Sequence, residues 1–343
     1  MDNQKQLVIL TEATAKVGYG HLTRCEAIYQ AFKKIGMRVK LIVDGDDSIF
    51  NCLSSQTAVK LLPWLSNLSS CGTMLDSPNI IIVDSYQASA MVYRQLAKLT
   101  SMLVCMDDTW RLSYPLGVII HPIVGSESLS NYNQTGHQIL TGIEYQPLRS
   151  AFWNCAPAIA NEKLTNILIT FGGEDIRDLS GRILMLLMRD YPSLIKNVVI
   201  GPGYHQLADL QQKADANTQI LQNLSALDMK GMMEQADLAI SAGGQTLSEL
   251  ACVGAPTLAI LVSDNQSQSC AFWHKTGFIR YTGKWNSKHL DQLVLRFIDH
   301  YQDQINRQIT ASCGQTIING KSTMMLVKKL CNLYENHYST SHS

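Results

Sequence analysis

The chain has 343 residues, which at roughly 150 residues per domain suggests two domains. Lys+Arg and Asp+Glu are both 28, apolar residues make up 46% and charged residues 16%. Mean hydropathy is -0.01. This balance excludes a disordered chain, which needs low hydrophobicity and high net charge. It also argues against nucleic acid as the main partner, because phosphate binding needs local positive charge. A membrane-spanning helix needs about 18 consecutive apolar residues. The longest runs here are pieces such as Ile183–Met188 and Ala259–Val262. The start, MDNQKQLVIL, is too short for a signal-peptide core and no small-residue cleavage site follows it. The expectation is a cytoplasmic protein without membrane insertion. The nine cysteines are odd in number and form no C-x-x-C pair, and the nine histidines show no H-E-x-x-H spacing. Reduced thiols fit this pattern, and no metal or cofactor is called for.

The first half alternates short apolar runs with helical segments. LVIL (7–10) leads through a glycine-containing turn into a helix over about 21–35. RVKLIV (38–43) is the next strand, then NIIIVD (79–84), a continuous apolar run ending in Asp. Such runs suit strands buried on both faces of a parallel sheet. A helix over 90–99 separates it from MLVCMD (102–107) and LGVII (116–120). Residues 150–163 hold a Pro and no clear period, and mark a linker. The pattern then restarts with NILITF (166–171), a helix over 179–188, and NVVIGPG (197–203). Helices over about 204–214 and 227–235 follow, then the strand DLAISAGG (237–244), a helix closed by Gly254 and Pro256, and PTLAILV (256–262). The last 55 or so residues are helical in composition. The expected fold is α/β, with two Rossmann-like domains, 1–152 and 163–335, whose parallel sheets face a central cleft. In open parallel sheets ligands bind beyond the carboxyl ends of the strands, where every candidate motif falls.

The first motif is Gly18-Tyr19-Gly20-His21-Leu22-Thr23-Arg24. Glycines bring a ligand close to a helix start, whose free amides favour anions. As a dinucleotide fingerprint it is poor, because Thr23 stands at the third glycine position. A His at a helix start is favoured in its neutral form and can take a proton. The alternative is a His that only caps the turn. Asp84-Ser85-Tyr86 closes a buried strand; the Asp can simply cap the next turn, and the Tyr can pack or offer a phenol. Asp107-Asp108 closes the next strand and reads best as ordinary turn residues.

In the second half, Gly172-Gly173 follows its first strand and permits close backbone approach. Gly243-Gly244-Gln245-Thr246 joins a strand to a helix. Its uncluttered amides suit a diphosphate, and Glu249, one turn on, can accept from a ribose diol. Thr246 and Glu249 also have capping-box spacing, a purely structural alternative. Asn265-Gln266, at a strand end, suits recognition of sugar hydroxyls and amides.

Taken in order, these segments resemble a known family. The series is G-x-G-H-x-x-R, I-V-D-S-Y, M-D-D, G-I-E-Y-Q-P-L-R-x-x-F, I-T-F-G-G-x-D, A-D-L-A-I-S-A-G-G-x-T-L-x-E-L and N-Q. Over about residues 7–280 it resembles the UDP-2,4-diacetamido-2,4,6-trideoxy-β-L-altropyranose hydrolases of pseudaminic acid biosynthesis. The second half is also similar to the GT-B glycosyltransferases that add N-acetylglucosamine to the peptidoglycan lipid precursor. The resemblance implies a GT-B fold with UDP on the C-terminal domain. It implies metal-free release of UDP by water attack at the anomeric carbon, with inversion. By the same route His21 is the general base and Tyr86 a residue near the sugar. Glu249 holds the ribose, Gly244, Gln245 and Thr246 the phosphates, and Asn265 and Gln266 the sugar. Gly20, Arg24, Gly172, Gly173, Leu224 and Gly243 complete the implied substrate-binding set. His121-Pro122, the loop Ser126–Gln138 and the tail beyond about 285 lie outside the pattern. The alternative activity is an inverting, UDP-sugar-dependent glycosyltransferase of cell-surface polysaccharide biosynthesis. A third reading is a non-catalytic UDP-sugar-binding protein.

Overall fold

A computed structural model describes residues 5–14, 18–122 and 136–337. Most of the loop Ser126–Gln138, singled out above, lies outside the described residues.

The chain divides into two compact units, Met1–Ser150 with Lys321–Ser343, and Ala151–Gly320. In the first, β1 (Gln6–Ala13), β2 (Arg38–Gly45), β3 (Val59–Leu61), β4 (Ile80–Asp84), β5 (Met102–Met106), β6 (Val118–His121) and β7 (Gln138–Thr141) form one sheet. Its order is β3-β2-β1-β4-β5-β6-β7, and every pairing is parallel. Helix α1 (Gly20–Lys34) follows β1, and α2 (Ala90–Ala97) follows β4. On α1 the positions Leu22, Cys25, Tyr29 and Phe32 recur at helical spacing and are all buried. Lys33 and Lys34 occupy its last turn, where cations oppose the macrodipole. The helix stops at Gly36, whose φ of 84° is left-handed. That turn lets the Met37 amide donate to the Phe32 carbonyl at 3.1 Å.

The second unit repeats the plan with β8 (Asn166–Thr170), β9 (Ile195–Ile200), β10 (Thr218–Gln222), β11 (Leu238–Ala242), β12 (Thr257–Leu261) and β13 (Ile279–Lys284). The order is β10-β9-β8-β11-β12-β13, again parallel throughout. Its helices are α3 (Leu179–Asp190), α4 (Leu207–Lys213), α5 (Ala226–Gln235), α6 (Thr246–Val253), α7 (Ser267–Lys275), α8 (Leu290–His300) and α9 (Gln304–Ile317). Ile167, Ile169, Val198, Leu238, Ile240, Leu258 and Ile260 line the core under α3 and α8.

One boundary differs from the expectation that residues up to 335 belong with the second half. Helix α10 (Ser322–His337) groups with the first unit. Buried Thr323 exchanges hydrogen bonds with the Leu148 backbone, at 2.8 Å from its amide and 2.9 Å to its carbonyl. Farther along, Asn79 Nδ2 donates to the Tyr334 hydroxyl at 2.9 Å. The helical composition of the tail was legible; its docking depends on partners far away in sequence.

In each sheet the order reverses between the first and fourth strands, β1/β4 and β8/β11. Loops leaving these two strands diverge, which opens a crevice at their carboxyl ends.

Candidate functional site

In the first unit the crevice carries an ion network. Asp84 ends β4 and is fully buried. Its Oδ1 lies 2.6 Å from His21 Nδ1, and Arg24 Nη2 donates to the same oxygen at 2.5 Å. Arg24 Nε donates to Oδ2. His21 and Arg24 are one turn apart on α1, so one helix face presents both to Asp84. Arg24 Nη1 then reaches Asp108 Oδ2 at 3.0 Å, and the Tyr86 hydroxyl donates to Asp108 Oδ1 at 2.6 Å. The Tyr86 ring meets the His21 ring edge-on, centroids 4.3 Å apart.

The charges fix protonation states. Burial alone would raise the Asp84 carboxyl, but Arg24 and His21 outweigh it and hold it well below the ordinary carboxylate range. Asp108 is likewise lowered, with Arg24 the main force opposing its burial. Burial, then Asp108, push the Tyr86 phenol far up, so it remains a donor. Ionised Asp84 accepts the proton on His21 Nδ1, which leaves the lone pair on Nε2. Arg24 Nη2, 3.1 Å from Nδ1, directs its own hydrogen to the shared carboxylate oxygen. The contact with Asp84 holds the His21 ring in one tautomer.

His21 therefore does not cap α1: the N-cap is Tyr19, with no side-chain cap bond. Asp84 is the hub of the network and caps nothing. Asp108 departs from the ordinary-turn reading, whereas Asp107 fits it. Asp107 Oδ1 accepts from the Thr109 amide and hydroxyl and from the Trp110 amide, at 2.9, 3.1 and 2.9 Å.

Sequence reasoning missed Glu12. It sits at the end of β1, buried, and accepts from the Ser85 hydroxyl. It also takes the amides of Tyr86 at 2.8 Å and Gln87 at 3.1 Å. Ser85 Oγ in turn accepts from the Gln87 and Ala88 amides, at 3.0 and 2.8 Å. Glu12 thus fixes the loop that carries Tyr86. A carboxylate interrupting the run LVILTEA was the available signal. His121 is buried and donates from Nδ1 to the Asp107 carbonyl at 2.7 Å; burial lowers its pKa.

The second unit's crevice is built from backbone. Gly172, after β8, has a φ of 86° and open space where a side chain would point. The Gly173 carbonyl accepts from the Gly203 amide at 2.9 Å, joining the loops after β8 and β9. Gly243 and Gly244 follow β11. A Cβ on Gly243 would lie 2.2 Å from Cys270 Sγ, whereas one on Gly244 meets only Gln266 Nε2, at 3.8 Å. Gly243 is therefore required by packing, and Gly244 is open for approach. Gln266 Oε1 accepts from the Gly243 amide at 3.2 Å and the Val262 amide at 3.1 Å. Its amide group is thereby oriented, with Nε2 toward Gly244.

The capping-box alternative fails on register. Helix α6 takes Gln245 as N-cap, without a side-chain cap bond. Thr246 is already its first residue and Ser248 its third, so Glu249 stands one place too far along. Glu249 is buried in the first turn. Leu224, after β10, is half-buried, and Asn265 is exposed in the single turn Asp264–Gln266. The structure thus brings together His21, Arg24 and Tyr86 in one unit. In the other it brings together Gly243, Gly244 and Gln266 at the start of α6. Among the described residues no three of His, Cys, Asp and Glu form a metal-holding group, and no helix is long and apolar enough to cross a membrane.

Two parallel sheets, each with its polar constellation at the switch point, define the architecture of the GT-B glycosyltransferases. No family model matches the chain. Solved structures of this fold include MurG of Acinetobacter baumannii, with 15% identity and a TM-score of 0.61 over 95% of this chain and 99% of that one. The MnaA–UDP co-structure from S. aureus gives 13% identity and a TM-score of 0.63, over 97% of both chains. Among curated relatives, a Helicobacter pylori protein is 24% identical over 84% of this chain and 50% of its own length. It is named pseudaminic acid cytidylyltransferase and UDP-2,4-diacetamido-2,4,6-trideoxy-beta-L-altropyranose hydrolase. The spore coat polysaccharide biosynthesis protein SpsG of Bacillus subtilis is 26% identical over 63% of this chain and 65% of its own. The chain thus spans between half and two-thirds of the length of these relatives. The resemblance to the hydrolase read from the ordered motifs is borne out by the Helicobacter relative.

Proposed function

We propose that the protein hydrolyses a UDP-linked 2,4-diacetamido-2,4,6-trideoxyhexose to free sugar and UDP, in nonulosonic acid biosynthesis of the pseudaminic type. The observation that carries this is the buried His21–Asp84 pair, which leaves a lone pair on Nε2 in a crevice of a nucleotide-sugar fold. His21 Nε2 takes the proton of a water as its oxygen attacks the anomeric carbon. The C–O bond to UDP breaks, and inversion follows from attack opposite the leaving group. Asp84 stabilises the imidazolium, and a positioned base of this kind contributes about 10²–10⁴-fold. Tyr86, held by Asp108 and Glu12, borders the sugar.

UDP belongs to the second unit. The amides at the start of α6, uncovered at Gly244, take the diphosphate with Gln245 and Thr246. Glu249 receives the ribose hydroxyls, and Asn265 and Gln266 contact the sugar's amides. Gly20 and Arg24 add to the first unit's crevice, and Gly172, Gly173, Leu224 and Gly243 to the second's. The double name of the Helicobacter relative and this chain's half-length match fit one of two activities. The UDP-bound neighbour of the same fold favours the hydrolase.

The names of the solved neighbours favour a second reading, transfer of the sugar to an acceptor. UDP release from a panel of UDP-sugars, followed with chelator present and with and without candidate acceptors, separates the two. Release in water alone supports hydrolysis. Release that requires an acceptor supports transfer, and tight UDP binding without release supports a binding protein.

A further inference from the structure

Cys252 stands toward the end of α6 opposite the Gly243-Gly244 loop, with Cys155 beside it. Cys252 is buried near the end of α6, and Cys155 is half-buried in the segment that enters the second unit. Their sulfurs are 3.3 Å apart. Both thiols also approach the Phe152 carbonyl, Cys252 at 3.4 Å and Cys155 at 3.5 Å. A cavity of about 350 Å³, lined by both cysteines with Pro157, Ser312, Gln315 and Thr316, opens beside them. Lys230 Nζ donates to the Asn154 carbonyl at 2.8 Å, which brings a cation next to Cys155. Neither thiol has a part in the proposed hydrolysis.

We propose that Cys155 and Cys252 form a reversible dithiol site that takes a small peroxide or a low-mass disulfide from the adjoining cavity. The two thiols have different roles. Cys252 donates its hydrogen to Cys155, and this, with Lys230, outweighs burial and the nearby acids Glu234 and Glu249 and lowers the Cys155 pKa. The same contact and burial raise Cys252. The thiolate, which is the nucleophile, thus forms first at Cys155, the sulfur nearer solvent. With hydrogen peroxide, Cys155 sulfur attacks one oxygen, the O–O bond breaks and hydroxide leaves, giving a sulfenic acid. Cys252 sulfur then attacks Cys155 sulfur, and the hydroxyl departs as water with the Cys252 proton. The sum is two thiols and one peroxide giving one disulfide and two waters. A low-mass disulfide reaches the same product by exchange and leaves as two thiols. Rotation of the two side chains from 3.3 Å closes the bond. The bridge ties the entering segment to α6, and a low-mass thiol reverses it.

The site stands independently of the UDP reading, and its test uses no substrate. Reduced protein is treated with hydrogen peroxide, digested without reductant and examined by mass spectrometry. A peptide joining Cys155 to Cys252, lighter by two hydrogens and released by dithiothreitol, is expected. Cys155→Ser should abolish it. Cys252→Ser should abolish it and leave Cys155 as a sulfenic acid that dimedone captures, which wild type shows little of. Folding of each variant is checked by circular dichroism, and phenylarsine oxide, which bridges close thiol pairs, should bind wild type and neither variant. The proposal is overturned if the oxidised wild type lacks this peptide, if the peptide survives Cys155→Ser, or if dimedone labels Cys155 equally in wild type and Cys252→Ser.

Discussion

The two units share a sheet order through their sixth strand and build opposite kinds of crevice on it. In the first, the switch point between β1 and β4 is filled by charged side chains: Glu12, Arg24, Asp84 and Asp108, with His21 among them. In the second, the equivalent point between β8 and β11 is glycine and backbone amide, with Gln266 bracing the loop and Glu249 the one acid in the first turn of α6. A network of buried charges can set a proton's position. Free amides at a helix start can hold an anion without titrating. If, as proposed, the same topology supplies a place for chemistry in one unit and a place for a nucleotide in the other, damage to each should have a different signature.

The largest expected effect tests the chemical half. His21→Asn should lower turnover by about 10²–10⁴-fold and leave UDP affinity, measured by calorimetry, near wild type. Loss of UDP affinity in this variant would move His21 into the nucleotide site and erase the contrast.

Asp84→Asn should register in stability as well as turnover. It leaves the buried Arg24 guanidinium short of a carboxylate, a change that costs about 3–5 kcal/mol in comparable buried pairs. The pH dependence follows from the depressed Asp84 carboxyl. Its stabilisation is fully present above the unfolded value of about 3.9, and is lost as pH falls through the lower folded value. Denaturant titrations below pH about 4 should show a steeper loss for wild type than for Asp84→Asn. Equal slopes would remove Asp84 from its place as hub.

The second unit should respond to shape. Gly243→Ala drives a methyl into Cys270 and should destabilise the fold by about 1–3 kcal/mol. Gly244→Ala has room, so melting should stay near wild type while UDP binding weakens. Equal melting losses in the two variants would contradict the division between a packing glycine and an approach glycine. Smallest, Glu249→Gln should weaken UDP about tenfold, the scale of one hydrogen bond to a charged group, with turnover at saturating substrate retained. Unchanged affinity would make Glu249 a structural carboxylate.

The sequence made the same contrast visible unevenly. Central strands such as NIIIVD and DLAISA are continuous apolar runs because helices cover both faces. The strands that escaped notice are the sheet edges: β3, β7, β10 and β13. VKL, QILT, TQILQ and IRYTGK are half-buried and mix polar residues into the run, so no period marks them. Glycine loops and the His at the start of α1 were legible because their chemistry is contiguous. The network was not, since Glu12, Arg24, Asp84 and Asp108 come from four segments and converge only when β1, β4 and β5 pair. Thr246 and Glu249 show the reverse case, a local pattern that matched a capping box until the helix register placed Gln245 at the cap.

The central claim is that water attacks the anomeric carbon under His21 while UDP leaves intact. Hydrolysis of a UDP-linked 2,4-diacetamido-2,4,6-trideoxyhexose in ¹⁸O-labelled water, with chelator present, tests it most directly. The account predicts one label in the C1 oxygen of the free sugar, released with inverted anomeric configuration, and none in UDP. Label in the UDP phosphate would mean attack at phosphorus and would contradict it.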